Sequence, residues 1–81
     1  MIDLDGAFRA LGAHLRAERA RADFTQPELA QLTGIHVVTI SNIERDKANL
    51  SLDQLLKIAP ALGMSPGQFL NAALANVEEK A

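Results

Sequence analysis

Apolar residues recur at steps of three and four positions near the start of the chain. Leu4, Phe8, Leu11 and Leu15 fall on one stripe of a helix at this spacing, with Ala, Gly and polar or charged residues at the positions between them. The pattern predicts a first helix that runs roughly to Ala22.

The next segment predicts a short helix with well-defined ends. Thr25-Gln-Pro-Glu28 has the form of a capping box, in which Thr25 caps the amide three residues later and Glu28 bonds back to the amide of Thr25. Gly34 can adopt the positive φ that closes a helix, so the second helix is predicted over Gln26–Thr33. The predicted buried residues of this helix are Leu29, Ala30 and Leu32.

A third helix is predicted directly after the glycine. Ile40 and Ile43 have helical spacing, and Ile35 stands at the entrance of the same helix. The pattern predicts a helix from about His36 to Arg45. Two short helices joined by a tight turn, here about residues 25–45, have the proportions of a helix-turn-helix. The second helix of such a pair enters the major groove of DNA.

Two further capping boxes predict the remaining helices. Ser51-Leu-Asp-Gln54 opens a fourth helix, which Gly63 ends and which Pro60 is expected to kink or to end early. Ser65-Pro-Gly-Gln68 opens a fifth helix that runs to about Val77. The predicted inward residues of the fourth helix are Leu52, Leu55, Leu56, Ala59 and Leu62.

Composition favours an all-α fold in a single domain. The chain has 81 residues, and a domain of this size buries only about 60% of its unfolded surface, so residues 1–81 are expected to share one core. The absence of Tyr and Trp favours helices over strands. With no Cys and two isolated histidines, no metal or other cofactor is expected. His14 falls on the polar side of the first helix and is expected to be an ordinary surface residue.

Charge is distributed unevenly along the chain. The net charge of −2 and the pI of about 5.5 do not suggest a nonspecific nucleic-acid binder. Six of the eight Lys and Arg residues nevertheless precede Ala48, and only Lys57 and Lys80 follow it. An anion-binding surface is therefore expected in the first half, although ordinary solvated helix charges explain the same distribution.

Several other classes of protein are not expected. No apolar run approaches the ~20 residues of a membrane span, and the segment Met1–Gly6 lacks the basic-then-apolar order of a signal peptide. We therefore expect a cytoplasmic protein with no membrane partner. An enzyme is not expected either, because the sequence offers no nucleophile beside a base and no phosphate-binding glycine loop. No small-molecule ligand is apparent.

Several motifs together carry a resemblance to a known family. They are Thr25-Gln-x-Glu-Leu-Ala30, Gly34, Ile40-Ser-x-Ile-Glu44 and the stretch from Leu52 through Leu62-Gly63. With these motifs, the segment from about Leu11 to Leu70 resembles the lambda-repressor-like, Cro/XRE-type DNA-binding domain. The chain length and Arg45-Asp-Lys-Ala-Asn-Leu-Ser51 are also similar to restriction–modification controller proteins. The resemblance implies a five-helix bundle that binds double-stranded operator DNA as a homodimer on a pseudo-palindromic site.

The resemblance also places residues against the DNA backbone. Gln26 starts the second helix, where its side chain and the helix N-terminus can hold a phosphate, although it is also an ordinary first-turn residue. Cations after the recognition helix, which is the third helix, add salt-dependent affinity without reading sequence. The implied phosphate-contacting residues are Gln26, Ser41, Arg45, Lys47 and Asn49.

Base readout is assigned by the same resemblance to outward side chains of the recognition helix. Val37 and Val38 cannot hydrogen-bond to a base edge, and exposed neighbouring valines lower helix propensity. We expect Val37 or Val38 to contact a thymine methyl, although packing against the second helix is the alternative for Val37. Thr39 can use its methyl or its hydroxyl, and Asn42 can pair with an adenine. The implied base-reading residues are His36, Val37, Val38, Thr39 and Asn42.

Four residues near the recognition helix have further expected roles. The resemblance implies a structural ion pair between Arg19 and Glu44. His36 stands at a helix cap, where Ser or Thr would cap better, and a charged His36 is expected to donate to a phosphate. Asp46 replaces a Gly that is common at this position. Asp tolerates the left-handed conformation, but its charge is unfavourable near phosphate.

The last helix, about residues 66–77, has a wider apolar face than the inner side of a terminal helix needs. We expect part of this face to form the dimer interface, although packing inside one protomer is the alternative for Phe69 and Leu70. A dimer would place two recognition helices about 34 Å apart, which is one turn of B-DNA. The predicted interface residues are Phe69, Leu70, Ala73, Leu74 and Val77.

One other function stays open. A helix-turn-helix that binds protein rather than DNA, such as an antitoxin or adaptor, would suit both the acidic pI and the two valines of the recognition helix. The salt dependence of DNA affinity distinguishes the two, because a groove binder has a steep negative slope of log affinity against log salt.

Overall fold

The computed structural model describes residues 3–77, and these residues form five α-helices. The predicted all-α, five-helix architecture is confirmed. The helices are α1 (Leu4–Arg21), α2 (Gln26–Thr33), α3 (Val37–Glu44), α4 (Leu52–Ala61) and α5 (Pro66–Leu74). The longest helix, α1, packs against both α3 and α5, while α2 packs against α3 and α4.

The three predicted capping boxes are all present. The hydroxyls of Thr25, Ser51 and Ser65 each accept a hydrogen bond from the backbone amide three residues later. The side chains of Glu28, Gln54 and Gln68 accept the reciprocal bonds from the three cap amides. These bonds satisfy backbone amides that have no partner inside the helix, which fixes where α2, α4 and α5 begin.

The helix ends agree with the glycine and proline signals, with one difference in length. Gly34 and Gly63 have φ values of 73° and 76°, so each closes the preceding helix in the left-handed conformation. Helix α4 ends at Ala61, one residue after Pro60. Helix α5 ends at Leu74, three residues before the predicted end, because Ala75 and Asn76 form a turn.

Every helix contributes to one apolar core. Leu15 of α1 and Leu29 of α2 are fully buried, as are Ile58 of α4 and Phe69 of α5. Helix α3 adds two fully buried residues at helical spacing, Ile40 and Ile43. A core that draws on all five helices fixes α3 relative to the rest of the molecule, so the orientation of the recognition helix follows from the packing.

Three leucines that were predicted to face inward are exposed instead. Leu32 of α2 is 58% exposed, and Leu52 and Leu56 of α4 are 69% and 52% exposed. The buried stripe of α4 is centred on Leu55, Ile58, Ala59 and Leu62, so the other two leucines lie at its edge and beyond it. In α2, Thr33 is buried where the pattern had placed Leu32.

Helix α1 approaches its neighbours more closely than the hydrophobic pattern indicates. A Cβ atom on Gly12 would overlap the backbone carbonyl oxygen of Ile43, so only glycine permits this crossing of α1 and α3. The ring of His14 lies edge-on to Phe69, with ring centroids 4.9 Å apart. The His14 side chain is 17% exposed. The expectation of an ordinary surface histidine is therefore wrong, because His14 packs at the junction of α1 and α5.

Candidate nucleic-acid interface

Helices α2 and α3 are joined by a short turn that Thr33 closes. The Thr33 hydroxyl donates to the carbonyl oxygen of Leu29 at 2.8 Å and accepts from the amide of Ile35 at 3.2 Å. Gly34 between them has the left-handed conformation that the turn requires. The turn of the predicted helix-turn-helix is present, and Thr33 is a part of it that the sequence pattern did not single out.

The recognition helix α3 buries one side and leaves the expected base-reading side accessible. Ile40, Ile43 and Glu44 are buried. His36 is exposed, and Val38 is 56% exposed. The other candidates for base readout are half-buried, namely Val37, Thr39 and Asn42. Val38 is therefore the more accessible of the two valines, and the half-buried position of Val37 agrees with partial packing.

His36 caps the recognition helix with its own ring. Its Nδ1 atom accepts a hydrogen bond from the amide of Val38 at 3.1 Å, so the helix start has a side-chain cap although neither Ser nor Thr stands there. An Nδ1 atom that accepts carries no proton, which leaves an N–H donor at Nε2 in the neutral ring. Charging His36 would place a proton on Nδ1 and remove this cap. The expected gain from a charged phosphate contact is therefore opposed by the loss of a backbone bond.

A buried polar cluster links α1, α2 and α3. The Nε and Nη2 atoms of Arg19 donate to the two carboxylate oxygens of Glu44 at 2.7 and 3.0 Å, and Nη1 donates to the carbonyl oxygen of Phe24 at 2.8 Å. The Glu44 side chain is only 2% exposed and that of Arg19 is 16% exposed. The bonds to Glu44 raise the pKa of Arg19, so the guanidinium stays charged. Arg19 and Glu44 thus lie together as the resemblance implies.

Gln26 belongs to this same cluster. Its Nε2 atom donates to Oε1 of Glu44 at 3.1 Å. One proton of the Gln26 side-chain amide is therefore already donated to Glu44 and is not available to the predicted phosphate contact. The second amide proton and the N-terminus of α2 are the groups that a phosphate can still meet. Glu44 therefore fixes the orientation of Gln26 as well as that of Arg19.

The segment after the recognition helix is polar and exposed. Arg45, Lys47 and Asn49 are all exposed, as a role along the DNA backbone requires, while Ser41 is half-buried on α3. Asp46 has a φ of 60°, so it adopts the left-handed conformation that was expected of it. The guanidinium of Arg45 contacts Oδ1 of Asn42 at 3.4 Å.

Arg9 of α1 reaches this segment, which the sequence did not indicate. Its Nε atom lies 3.3 Å from Oδ2 of Asp46, although the two residues are 37 positions apart. Both side chains are largely accessible, at 66% and 43% exposed. The negative charge of Asp46, which was expected to be unfavourable near phosphate, is therefore partly offset by a cation from α1.

The predicted dimer residues divide into two groups. Phe69 is fully buried and Ala73 is 9% exposed, so both pack inside the protomer and cannot form a dimer surface. Leu70 and Leu74 are half-buried and pack against the same core, and Val77 is half-buried after the end of α5. These last three residues are the part of the predicted interface that another protomer can reach.

The described residues contain neither a metal-ligand cluster nor a membrane-spanning helix. Within residues 3–77, no group of three or more His, Cys, Asp or Glu side chains is arranged to hold a metal ion. In the same part of the chain, no helix has the length and hydropathy needed to cross a membrane.

Two curated relatives cover most of this chain. Control protein C.BamHI from Bacillus amyloliquefaciens is 37% identical over 62 residues, which are 75% of this chain and 76% of that protein. Control protein C.SmaI from Serratia marcescens is 32% identical over 60 residues, which are 74% of this chain and 71% of that protein. The similarity to restriction–modification controller proteins is thereby confirmed.

Solved structures share the same fold. The clp gene regulator ClgR from Corynebacterium glutamicum superposes with a TM-score of 0.79 at 33% identity, over 85% of this chain and 73% of that chain. The restriction-modification controller protein C.AhdI from Aeromonas hydrophila gives a TM-score of 0.72 at 32% identity, over 76% of this chain and 94% of that chain.

The family match covers the helix-turn-helix. The family model described as Helix-turn-helix matches residues 15–69, which include α2, the turn and α3. The matched family consists of DNA-binding regulators rather than enzymes. With the capped helix pair, the Arg19–Glu44 contact and these relatives, the chain belongs to the Cro/XRE-type helix-turn-helix family of transcriptional regulators.

Proposed function

We propose that the chain binds a pseudo-palindromic operator as a homodimer and reads part of it through methyl contacts. The observation that carries this proposal is the exposure of Val38, which is 56% accessible on the outer side of a recognition helix whose other side is fully packed. An exposed β-branched apolar side chain has little structural benefit at this position. In the major groove it meets the thymine C5-methyl, the apolar group that a base pair presents there.

The remaining base-reading and phosphate-contacting roles follow from position. His36 presents an N–H donor at the start of α3, and Asn42 presents an amide one turn beyond Val38. Arg45 and Lys47, which follow α3, supply positive charge to the phosphate backbone of DNA. Gln26 adds the amide proton that it does not donate to Glu44. Phosphate contacts fix the register, while the side chains of α3 read the bases.

Selection from a random pool of duplex DNA is the first test. We expect an enriched half-site repeated about one helical turn away with inverted symmetry. Recovery of no enriched sequence would contradict the proposal. If the chain instead binds a protein, as an antitoxin or adaptor does, measurements of DNA affinity at different salt concentrations would show no DNA complex.

The methyl contact has a sharper test in the selected operator. Replacing the contacted thymine by uracil removes only the methyl group, so wild-type affinity should fall roughly threefold to fourfold, as for one lost methylene-sized contact. In Val38→Ala the thymine and uracil operators should bind equally well, whereas Val37→Ala should keep most of the discrimination. A Val38→Ala protein that still discriminates as strongly as wild type would defeat this assignment.

The dimer is proposed to form through Leu70, Leu74 and Val77 at the C-terminal end of α5. Val77→Asp, placed beyond the helix, should dissociate the dimer in sedimentation without unfolding the protomer. Leu56→Asp is the matched control, because this leucine of α4 is 52% exposed and lies outside the proposed interface. Dissociation by Leu56→Asp alone would move the interface to α4, and a monomeric wild type at micromolar concentration would contradict the dimer.

A further inference from the structure

Helix α1 presents a cation to the segment that follows the recognition helix. Gly12 brings the backbone of α1 against the carbonyl of Ile43, which fixes the two helices at this level. Arg9 lies one turn before Gly12 on α1, and Asp46 lies three residues after Ile43. The close crossing therefore places the guanidinium of Arg9 beside the turn at Asp46, with 3.3 Å between Nε and Oδ2.

The carboxylate of Asp46 stands among three cations. Arg45 and Lys47 flank it along the chain, and both are exposed. Arg9 faces it from α1. The patch formed by Arg9, Arg45, Asp46 and Lys47 thus has a net charge of +2 in a protein whose overall charge is −2. A basic patch beside the recognition helix is complementary to a DNA phosphate.

The ion pair between Arg9 and Asp46 can be broken easily and contributes little to the stability of the fold. Both side chains are largely accessible, at 66% and 43% exposed, and an ion pair in such surroundings is weak and screened by salt. Asp46 is held in the left-handed conformation at a φ of 60°, so the backbone of the turn sets the direction in which its side chain leaves the chain. A phosphate that approaches Lys47 can accept two hydrogen bonds from the guanidinium of Arg9, whereas Asp46 meets that guanidinium through one contact, from Nε to Oδ2 at 3.3 Å.

We propose that Arg9 is an additional phosphate-binding residue, which exchanges Asp46 for a DNA phosphate when the recognition helix docks. This inference rests on the proposed DNA binding and adds α1 to the interface. Asp46 then weakens binding in two ways, because it repels the phosphate and holds Arg9 before docking.

The test is the slope of log affinity against log salt on a duplex that carries the selected operator. Arg9→Ala should reduce the magnitude of the slope by about 0.9, the value for one phosphate contact. Arg21→Ala is the matched control, because Arg21 also lies on α1, is 61% exposed and is paired with Glu18 at 2.6 Å. It removes the same charge about 18 Å further along the helix axis and should leave the slope unchanged. Arg9→Lys should retain the wild-type slope.

Asp46→Asn tests the exchange itself. This change removes the charge and keeps a residue type that tolerates positive φ, so affinity should rise about two- to fivefold, the size of one exposed charge interaction. The gain in affinity should be smaller in the Arg9→Ala background, where Asp46 has no Arg9 guanidinium to bind before docking. Equal gains in the two backgrounds would overturn the exchange, and equal slopes for Arg9→Ala and Arg21→Ala would overturn the phosphate contact.

Lys47→Ala separates this inference from the proposed function. If Lys47→Ala lowers the slope while Arg9→Ala does not, DNA binding stands and the role of Arg9 is wrong. If wild type forms no DNA complex, the proposed function fails first. Thermal unfolding of each variant, followed by circular dichroism, identifies any loss of affinity that comes from unfolding.

Discussion

Helices α1–α3 and helices α4–α5 are held in place by different interactions. In the first group, side chains far apart in sequence join through charge, as in the bidentate contact of Arg19 with Glu44 and the additional bond from Gln26. In the second group, α4 and α5 pack through apolar side chains such as Ile58 and Phe69, and the bonds of their capping boxes stay within one turn.

This difference matches what each group has to do. Apolar contacts are nondirectional and fill space, so they fix where a helix lies. Hydrogen bonds and ion pairs also fix how a side chain is oriented, which a DNA-binding surface requires. Because Glu44 binds both Arg19 and Gln26, the end of the recognition helix and the start of α2 are oriented by a single carboxylate. The following three predictions test this division, from the largest effect to the smallest.

Glu44→Ala should cause the largest loss of stability. It leaves the guanidinium of Arg19, which is 16% exposed, without its carboxylate partner, and breaking a buried pair from one side costs about 3–5 kcal/mol. Urea unfolding measures the change. Asp53→Ala is the control from the other group, because it removes an exposed carboxylate whose hydrogen bond, from the Ser51 hydroxyl, stays within the α4 capping turn, and it should cost much less than Glu44→Ala. Equal unfolding midpoints for Glu44→Ala and wild type would show that the cluster does not hold α3.

Gly12→Ala should have the next largest effect. The added methyl group would overlap the carbonyl oxygen of Ile43, and since neither a Cβ atom nor a backbone carbonyl can move away without its helix, the helices must separate at a cost of about 1–3 kcal/mol. Gly67→Ala in α5 is the matched control, because a Cβ there has its nearest neighbour, the hydroxyl oxygen of Ser65, at 4.0 Å. This control should be neutral or stabilising by up to about 1 kcal/mol. A Gly12→Ala protein as stable as wild type would contradict the close crossing.

The smallest expected effect is a difference in acid sensitivity between the capping box of α2 and that of α5. The backbone amide of Thr25 donates to Glu28 and holds the pKa of that carboxyl below its ordinary value of 4.5. A lowered pKa means that the charged form stabilises the fold above pH 4.5 and that this contribution is lost as the pH falls through the folded-state value. The capping box of α5 contains Gln68 at the same position, which does not titrate. The box of α4 contains Gln54, but Asp53 beside it accepts from the Ser51 hydroxyl, which lowers the pKa of Asp53 and gives α4 an acid sensitivity of its own.

Exchanging Glu and Gln at the third position of these capping boxes tests the direction of the predicted pH dependence. Glu28→Gln should unfold at nearly the wild-type temperature at neutral pH and should lose less of its thermal midpoint below pH 4.5, since Gln completes a capping box without a charge. Gln68→Glu should add the same acid sensitivity to α5. If the thermal midpoints of Glu28→Gln and wild type fall by the same amount as the pH is lowered, the carboxylate of Glu28 has no role in stability at acid pH.

The local features were predictable from the sequence because they depend on neighbouring residues. The capping boxes at Thr25, Ser51 and Ser65 need only a hydroxyl and an acceptor three residues apart, and the conformation of Asp46 follows from its position after α3. The Arg19–Glu44 contact was available only through the resemblance to a known family, since nothing in the spacing of 25 residues indicates it.

The features that the sequence did not indicate depend on how helices cross. Leu32, Leu52 and Leu56 have helical spacing, but a leucine at the edge of a stripe is buried only if a neighbouring helix covers it. The contact of Arg9 with Asp46 exists because α1 crosses α3 at Gly12, and a glycine inside a helix gives no sign of which backbone it meets.

The contact of His14 with Phe69 has a practical consequence for spectroscopy. The sequence contains no Trp or Tyr, so fluorescence of those residues cannot follow folding. The two rings are 4.9 Å apart and inclined at 70°, a geometry in which the ring current of Phe69 acts on the imidazole protons. The proton resonances of His14 should therefore be displaced in the folded state and serve as an intrinsic reporter of the docking of α1 on α5.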